Sequence, residues 1–294
     1  MKVKKSLIYS DGFWACLLLL PNLLGFIIFT LFPVIAALFL SFTEYDMMSP
    51  VKWIGIQNYT ELFNDATFKQ VLFNTLYYSI FTVPLGVIIS LFLAIALDQK
   101  IALVKFYRAV YFLPVISSMV AVAMVWQWIF NPEYGLLNYI LSLFRIKGPA
   151  WLSDPTWAMP AIIITNIWKG LGFNMLLFLA GLQGISNSYY EAADIEGASW
   201  WTKFIKITIP LLSPTTFFVL IMSFISSFQV FDSVFLMTGG GPGRSTSVLV
   251  HYLYQNAFQY FRMGYASALA YVLFLLVFLV TIVQFIFQKK WVVY

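Results

Sequence analysis

The sequence predicts an all-α, polytopic membrane protein with about six transmembrane helices. Hydrophobic residues make up 61% of its 294 residues and charged residues only 10%, whereas about 25% of residues are charged in an ordinary soluble domain. The mean hydropathy is +0.85. The apolar residues are also gathered into charge-poor runs long enough to cross the roughly 30 Å hydrocarbon core of a bilayer. These observations exclude a soluble fold.

Six such runs are expected in one transmembrane domain, residues 13–287, between the terminal segments 1–12 and 288–294. They cover residues 13–42, 71–97, 109–130, 157–182, 211–237 and 265–287. Pro21 and Pro33 predict a kink or a tilt in the first run. The basic start of the chain is typical of a signal peptide, but the run is too long for one and no A-x-A-like site follows it. An uncleaved anchor is predicted.

The distribution of lysine and arginine predicts the orientation, because cytoplasmic loops carry an excess of both residues. With the N-terminus inside, ten lie in the cytoplasm: Lys2, Lys4, Lys5, Lys100, Lys105, Arg108, Lys203, Lys206, Lys289 and Lys290. Six lie outside: Lys52, Lys69, Arg145, Lys147, Arg244 and Arg262. Both termini are therefore expected in the cytoplasm. The net charge of +5 is spread along the chain without a basic tract, so no nucleic-acid binding is predicted.

The loop between the fourth and fifth runs, residues 186–210, is long and polar. Ser188 and Glu191 fit the S-x-x-E capping box of a helix start. Gly197 is suited to end that helix in a left-handed conformation, and a second helix start follows at Ser199. The orientation places this short helix, its glycine bend and the next helix in the cytoplasm.

Two interpretations of this loop stay open on the residues alone. Trp200 and Trp201 could anchor an amphipathic elbow at the lipid surface, with Pro210 limiting the second helix. A connection between two spans needs only a few residues, however, and this one is several times longer. The second interpretation is a docking helix for a cytoplasmic partner.

Residues 191–210, EAADIEGASWWTKFIKITIP, resemble the EAA loop of ABC-importer permeases. Glu191-Ala192-Ala193, Gly197 and Ile207-Thr208-Ile209-Pro210 stand at the family's offsets, with Ile209 where leucine is usual. Three further stretches are similar to the first permease of carbohydrate importers of the maltose and glycerol-3-phosphate type: RAVYFLPVISSMVAVAMVWQWIF (108–130), NIWKGLGFNMLLFLAGLQGI (166–185) and LMTGGGPGRSTSVLVHYLYQNAF (236–258). The four stretches extend the resemblance over most of the chain.

The resemblance implies a type I ABC-importer permease fold, in which the short helix of the EAA loop (residues 186–210) inserts into a cleft of a cytoplasmic ATPase. The residues implied for ATPase coupling are Glu191, Ala192, Ala193, Asp194, Gly197, Ile207 and Pro210. Alanines permit close backbone approach and glycine permits the sharp turn. Glu191 offers its charge to a basic partner, and it could equally cap its own helix.

The resemblance also implies partners and a location. The partners would be a second, homologous permease in a heterodimer, two ATPase subunits as a homodimer, an extracytoplasmic solute-binding protein and a carbohydrate. The location would be the plasma (inner) membrane of a prokaryote. This chain would bind no cofactor of its own, since ATP and magnesium would be held by the ATPase subunits.

Polar residues inside the fourth and fifth runs predict a substrate pathway, because charged groups within a membrane are costly and often functional. Hydroxyl-binding groups and aromatic faces together suit a sugar, and the resemblance aligns residues 166–173 with the family's sugar-contact region. The predicted pathway residues are Asn166, Lys169, Gly170, Phe173, Ser227, Gln229 and Asp232. The same groups could instead hold helices together, with Lys169 paired inside the bundle and Asp232 near the interface.

The glycine-rich stretch after the fifth run is expected to be a flexible external turn. It is not a phosphate loop, because the chain has no G-x-x-x-x-G-K-[ST] pattern. The resemblance implies contact with the binding protein for Gly239, Gly240, Gly241 and Pro242. His251, the single histidine, is expected at the external surface, and Cys16, the single cysteine, in helix packing. No metal or catalytic site is predicted, since neither a cysteine–histidine cluster nor a Ser/His/Asp arrangement is present.

The leading interpretation is a non-catalytic permease subunit that forms half of the pathway of an ATP-driven sugar or oligosaccharide importer. One alternative is an ion-coupled secondary transporter, which typically has internal inverted repeats; no convincing repeat is found. Another is a permease for a phosphorylated polyol such as glycerol-3-phosphate. A membrane enzyme would need a cluster of ionisable residues, which the sequence lacks.

Overall fold

A computed structural model describes residues 11–99 and 102–293, and in these residues the chain is almost entirely helical. The lysines predicted to be cytoplasmic at positions 2, 4, 5 and 100 lie outside the described residues, as does the side chain of Cys16. Residue contacts group the chain into two units, and the predicted domain bounds stay a prediction. The units are Met1–Asn64 with Leu253–Tyr271, and Asp65–Tyr252 with Val272–Tyr294.

The first unit contains the first predicted span, as helices α1 (Asp11–Phe26) and α2 (Phe32–Ser41) joined by a π-helical turn, Ile27–Leu31. Pro33 has no N–H to donate to a carbonyl four residues back, so the α-helical ladder cannot be regular there. The N–H of Phe32 instead donates to the carbonyl of Ile27, five residues back. The irregularity expected from the prolines therefore takes the form of a π turn.

A short antiparallel hairpin follows, β1 (Thr43–Glu44) and β2 (Lys52–Trp53), and then helix α3 (Gln57–Asn64). The amide of Asn58 donates to the carbonyls of Ser41 at 2.9 Å and Thr43 at 2.8 Å. These bonds fasten α3 to the segment that leads from α2 into the hairpin.

The second unit supplies most of the remaining helices. They are α4 (Ala66–Leu97), α5 (Val104–Ile116), α6 (Met119–Ile129), α7 (Leu136–Leu143), a 3-10 turn (Trp151–Ser153), α8 (Ala158–Gln183), α9 (Asn187–Ile195), α10 (Trp200–Lys203), a π turn (Phe204–Thr208), α11 (Ile209–Leu211), α12 (Ser213–Phe228) and α13 (Asp232–Met237). The chain continues through α14 (Leu249–Tyr254), a further π turn (Gln255–Gln259) and α15 (Met263–Gln288). Both α14 and α15 contribute residues to each unit.

Four helical segments of the described chain are by themselves long and apolar enough to cross a membrane: Leu17–Ser41, Ala66–Leu97, Ala158–Gln183 and Met263–Gln288. Two bent pairs raise the number to six if each pair is one span. The first pair, α5 and α6, meets at 101°, and the second, α10–α11 with α12, meets at 63°. The predicted fold class, an all-α protein with about six membrane helices, is confirmed.

The third and fifth spans differ from the continuous helices that the sequence predicts. The third is interrupted at Ser117 and Ser118, whose ψ angles of 140° and 136° are extended. Serine competes for backbone hydrogen bonds and is a weak helix former. The fifth span stops at Phe228, and a separate helix begins at Asp232.

The core of the second unit lies between α4 and α8, where Val83, Met175 and Phe178 are buried in one apolar cluster. Helix α8 also approaches α5 closely at Gly172. A Cβ atom at this position would overlap the carbonyl oxygen of Tyr111, so the contact requires glycine.

Candidate functional site: a polar cavity and the EAA loop

A cavity of about 420 Å³ lies in the second unit, among residues of α4, α8, α12 and α13. All seven residues that the sequence predicts for the substrate pathway line it: Asn166, Lys169, Gly170, Phe173, Ser227, Gln229 and Asp232. Asn166, Gly170 and Phe173 share one face of α8 because residues four and seven apart lie on the same side of a helix. The break between α12 and α13 supplies the opposite wall. Contact of these residues with a substrate stays a prediction.

The cavity wall includes residues that the sequence reasoning missed. Tyr78 and Thr82 line it from α4, and Met119 lines it from the start of α6. Tyr78 and Thr82 are polar residues four apart inside an apolar run. This spacing places both on one helix face and could have predicted them as cavity residues. Met119 has no such signal, since it reaches the cavity only through the bend between α5 and α6.

The ammonium group of Lys169 is held by backbone carbonyls. It donates to the carbonyl oxygens of Ser117 at 2.8 Å, Pro114 at 3.1 Å and Val115 at 3.5 Å. These carbonyls lie at the end of α5, where the last turn of a helix has no intrahelical donors. Lysine has three N–H donors, and the bonds to Ser117 and Pro114 have ordinary lengths, whereas the contact with Val115 is long. Lys169 thus ties α8 to the break in the third span.

A second predicted pathway residue also holds helices together, and a third is bonded within its own helix. The amide of Asn166 donates to the carbonyl of Ile162 at 2.9 Å and to the hydroxyl of Ser233 at 2.8 Å. Ser227 is buried, and its hydroxyl donates to the carbonyl of Phe224 at 2.8 Å. The alternative role that the sequence left open, helix association, therefore applies to the bond between Asn166 and Ser233, whereas the bond of Ser227 lies within α12.

Phe173, Gln229 and Asp232 differ, because their side chains are exposed in the cavity. Within residues 11–99 and 102–293, no hydrogen bond or ion pair engages the side chain of Gln229 or Asp232, although the charge of Asp232 interacts with that of Lys169. Asp232 opens α13, where the unpaired backbone N–H groups of the first helical turn favour a negative charge. The aromatic ring, the amide and the carboxylate are the groups that remain available to a ligand.

In the EAA loop, the helix start was predicted two residues too late. Helix α9 is capped by Ser186, whose hydroxyl accepts from the N–H of Ser188 at 3.4 Å. A capping residue must have an extended conformation, which Ser186 has with ψ 133°. Ser188 is already helical, so the predicted capping box with Glu191 is wrong. The Glu191 side chain is exposed.

The end of α9 is confirmed at Gly197, which is left-handed with φ +73°. The N–H of Ala198 donates to the carbonyl of Ala193 at 2.9 Å, and that of Gly197 to the carbonyl of Asp194 at 3.0 Å. This pair of bonds is a Schellman motif.

The second helix of the EAA loop begins as predicted, since the hydroxyl of Ser199 accepts from the N–H of Thr202 at 3.2 Å. The prediction that Pro210 limits this helix is confirmed to within one residue, since the helix ends at Leu211 and the chain then bends by 63° into α12. The missing N–H of the proline is accommodated by the preceding π turn, in which the N–H of Ile209 donates five residues back.

The predicted coupling residues differ in exposure. Glu191, Ala192, Asp194 and Gly197 are exposed, Ile207 and Pro210 are half-buried, and Ala193 is buried. Lys203 pairs with Asp194 at 2.6 Å and so links α9 to α10. Ile195, which the sequence reasoning missed, is 88% exposed. An apolar residue between two acids on a short helix is the signal that could have identified it.

The glycine-rich turn is cross-linked by hydrogen bonds, whereas the sequence predicts a flexible one. The hydroxyls of Thr238 and Thr246 lie 2.7 Å apart, and that of Thr246 also donates to the carbonyl of Gly241 at 2.8 Å. Of the four predicted docking residues, Gly239 is exposed, Gly241 and Pro242 are half-buried, and Gly240 is buried.

The prediction that His251 is a surface residue is wrong. Its side chain is 2% exposed, and its Nδ1 lies 3.0 Å from the hydroxyl of Ser247. It belongs to α14, which contacts α4 through a bond from the N–H of Leu249 to the hydroxyl of Thr75 at 2.9 Å. Burial, and then the charge of Arg244, lower the pKa of His251 below its ordinary value.

Comparisons with known proteins identify the family. Residues 72–293 match the family described as binding-protein-dependent transport system inner membrane component. The chain is 40% identical to the probable ABC transporter permease protein YesP of Bacillus subtilis, over 100% of this chain and 96% of YesP. It is 37% identical to the lactose transport system permease protein LacF of Rhizobium radiobacter, over 88% of each chain.

The fold agrees with a solved bacterial ABC transporter involved in the import of the acidic polysaccharide alginate. One chain of that structure matches with a TM-score of 0.84 at 25% identity, over 95% of this chain and 96% of that chain. These features define a multi-pass permease of an ABC importer. The chain belongs to the binding-protein-dependent transport system inner membrane component family. Membership supports the importer interpretation and not the ion-coupled secondary transporter.

Proposed function

We propose that this permease forms half of the translocation pathway for a sugar or oligosaccharide. The observation that carries the proposal is the cavity in which the break between α12 and α13 meets the polar face of α8. An exposed aromatic ring beside amide and carboxylate groups is suited to a molecule with both C–H faces and hydroxyl groups. The substrates in the names of LacF and of the alginate importer, lactose and an acidic polysaccharide, are carbohydrates.

The second half of the pathway belongs to a homologous permease in this proposal. An extracytoplasmic binding protein delivers the sugar, and two ATPase subunits supply the energy, so this chain has no catalytic role of its own. Both termini and the EAA loop lie in the cytoplasm, in keeping with the distribution of lysine and arginine.

Helix α9 couples ATP hydrolysis to transport by docking in a cleft of the ATPase. Its exposed side chains support this role, since Ile195 is 88% exposed beside the exposed Glu191. An exposed apolar side chain next to a charge is typical of a protein–protein interface in which the apolar residue is buried and the charged residue fixes the orientation of the partner. The fixed turn at Gly197 sets the direction in which the chain leaves the cleft.

Two substitutions test the coupling role. In Gly197→Pro the ring fixes φ near −65°, which is incompatible with the observed +73°. In Glu191→Lys the exposed charge is reversed. We expect both variants to insert into the membrane and assemble, while vanadate-sensitive uptake falls about tenfold relative to ATP hydrolysis.

Glu133→Lys, a reversal of an exposed acid outside the EAA loop, is the control and should leave uptake unchanged. Normal substrate-stimulated uptake in both EAA-loop variants would contradict the coupling role. Uptake that is insensitive to vanadate, or that needs no ATPase subunit, would contradict ATP-driven import itself.

A further inference from the structure

The charged groups of the cavity are few and not equivalent. Of the described residues that line it, two carry a full charge, Lys169 and Asp232. The ammonium group of Lys169 is directed at the carbonyls of Pro114, Val115 and Ser117. With bonds of 2.8 Å and 3.1 Å to Ser117 and Pro114 and a longer contact with Val115, the ammonium group has at most one donor left for a phosphate, sulfonate or carboxylate.

The carboxylate of Asp232 is in the opposite situation. It is exposed in the cavity and accepts no hydrogen bond within the described residues, and its charge interacts with that of Lys169 from beyond ion-pair distance. A ligand at this wall therefore meets free acceptors, the carboxylate and the amide oxygen of Gln229, before it meets a free cation. Hydroxyl groups are suitable donors to such acceptors, whereas an anionic group would lie beside the carboxylate and would have to compete with backbone carbonyls for the ammonium donors of Lys169.

We propose that this wall binds an uncharged saccharide unit, whose hydroxyl groups donate to Asp232 and Gln229 while a C–H face packs on Phe173. Lys169 is a positioning residue that fixes the break in the third span and is not a ligand for an anion. The inference rests on the proposed function, because it names the class of sugar that the same cavity accepts. It disfavours a phosphorylated polyol.

The first test compares uncharged with anionic sugars. The complete importer, with its partner permease, ATPase and binding protein, is reconstituted in proteoliposomes, and initial ATP-driven uptake is measured. The uncharged probes are lactose, maltotriose and arabinotriose, and the anionic probes are digalacturonate and sulfoquinovosyl glycerol. We expect one uncharged probe to exceed every anionic probe by about tenfold or more.

The outcomes separate the inference from the proposed function. Faster uptake of an anionic probe overturns the inference and leaves sugar import standing. ATP-driven uptake of none of the five probes overturns the proposed function and the inference with it.

The second test assigns the recognition to this chain. Asp232→Ala should lower uptake of the preferred uncharged probe about tenfold, and Asp232→Asn, which keeps one acceptor oxygen, about threefold. Both variants should melt only slightly below the wild type, since no hydrogen bond is lost and only the charge interactions of the carboxylate with the start of α13 and with Lys169 are removed. Glu133→Gln, an exposed acid outside the cavity, is the matched control. Wild-type uptake by Asp232→Ala would overturn the assignment.

Discussion

The cavity and the EAA loop are both polar segments in an apolar chain, but their polar groups are used differently. In the cavity, Lys169 and Asn166 direct donors at neighbouring elements, and Ser227 donates within its own helix. In the EAA loop, exposed side chains such as Glu191 remain open to a partner. The difference follows from water. Inside a bilayer an unpaired polar group costs several kcal/mol, whereas in the aqueous loop it costs little. Polar residues in the cavity therefore tend to find partners within the protein, so their presence there is a weaker indication of ligand contact.

The largest expected effect comes from a matched pair of lysines. Lys169→Met removes charge-assisted bonds to three carbonyls and should lower stability by about 3 kcal/mol. Lys203→Met removes one ion pair with Asp194, whose side chain is 60% exposed, and should cost less than about 1 kcal/mol. Thermal unfolding of the purified variants in detergent measures both changes. Lys169→Arg should recover much of the loss, because a guanidinium can also donate to carbonyls. Equal losses of stability at the two lysines would show that the bonds of Lys169 in the cavity stabilise the protein no more than the ion pair of Lys203 in the EAA loop.

A pair of glycines provides a smaller effect. In Gly172→Ala the new Cβ would lie 2.8 Å from the Cα of Phe112, and because backbone cannot yield like a side chain, we expect a loss of about 2 to 3 kcal/mol. In Gly197→Ala the Cβ meets open space, so the loss is limited to about 1 to 2 kcal/mol for a left-handed alanine. The same unfolding measurement ranks them. A greater loss at position 197 would contradict the assignment of tight packing to the α5–α8 contact.

The smallest effect extends the comparison to a buried polar group outside the cavity. The lowered pKa of His251 means that the unfolded chain binds a proton more readily than the folded one below about pH 6.5. The contribution of His251 to stability is therefore complete above that pH and is lost as the pH falls toward the folded-state pKa. Comparing the stability of the wild type with that of His251→Gln between roughly pH 7.5 and pH 5 isolates this contribution. Parallel pH profiles would show that the histidine does not titrate on unfolding.

The location of the cavity residues was predictable because it depends on periodicity. Polar residues at helix spacing in an apolar run must share a face. Lys169 and Asp232 are also unusual because each is a charged residue in a span that otherwise carries no charge. What could not be predicted is which donors were already engaged. The carbonyls that hold Lys169 become available only because the third span breaks at Ser117 and Ser118, more than 50 residues earlier in the chain.

Local errors have equally specific causes. Two serines in the sequence SNS could cap α9, and only the backbone conformation decides between Ser186 and Ser188. Pro210 lies in the last turn of its helix, one residue before the end, because the π turn before it accommodates the missing N–H. His251 was expected at the surface because the segment is loop-like in sequence, and the contact of α14 with α4 buries it.

The sequence by itself determined the all-α membrane class, the positions of the long apolar runs, the left-handed turn at Gly197 and the family, because these depend on composition, periodicity and residues close together in the chain. Only the tertiary structure decided the breaks in the third and fifth spans, the cavity between α8 and α13, and the division of its polar groups into engaged and free. These features depend on contacts between residues that are distant in sequence, and the requirement to satisfy every buried donor and acceptor can be evaluated only when those partners are known.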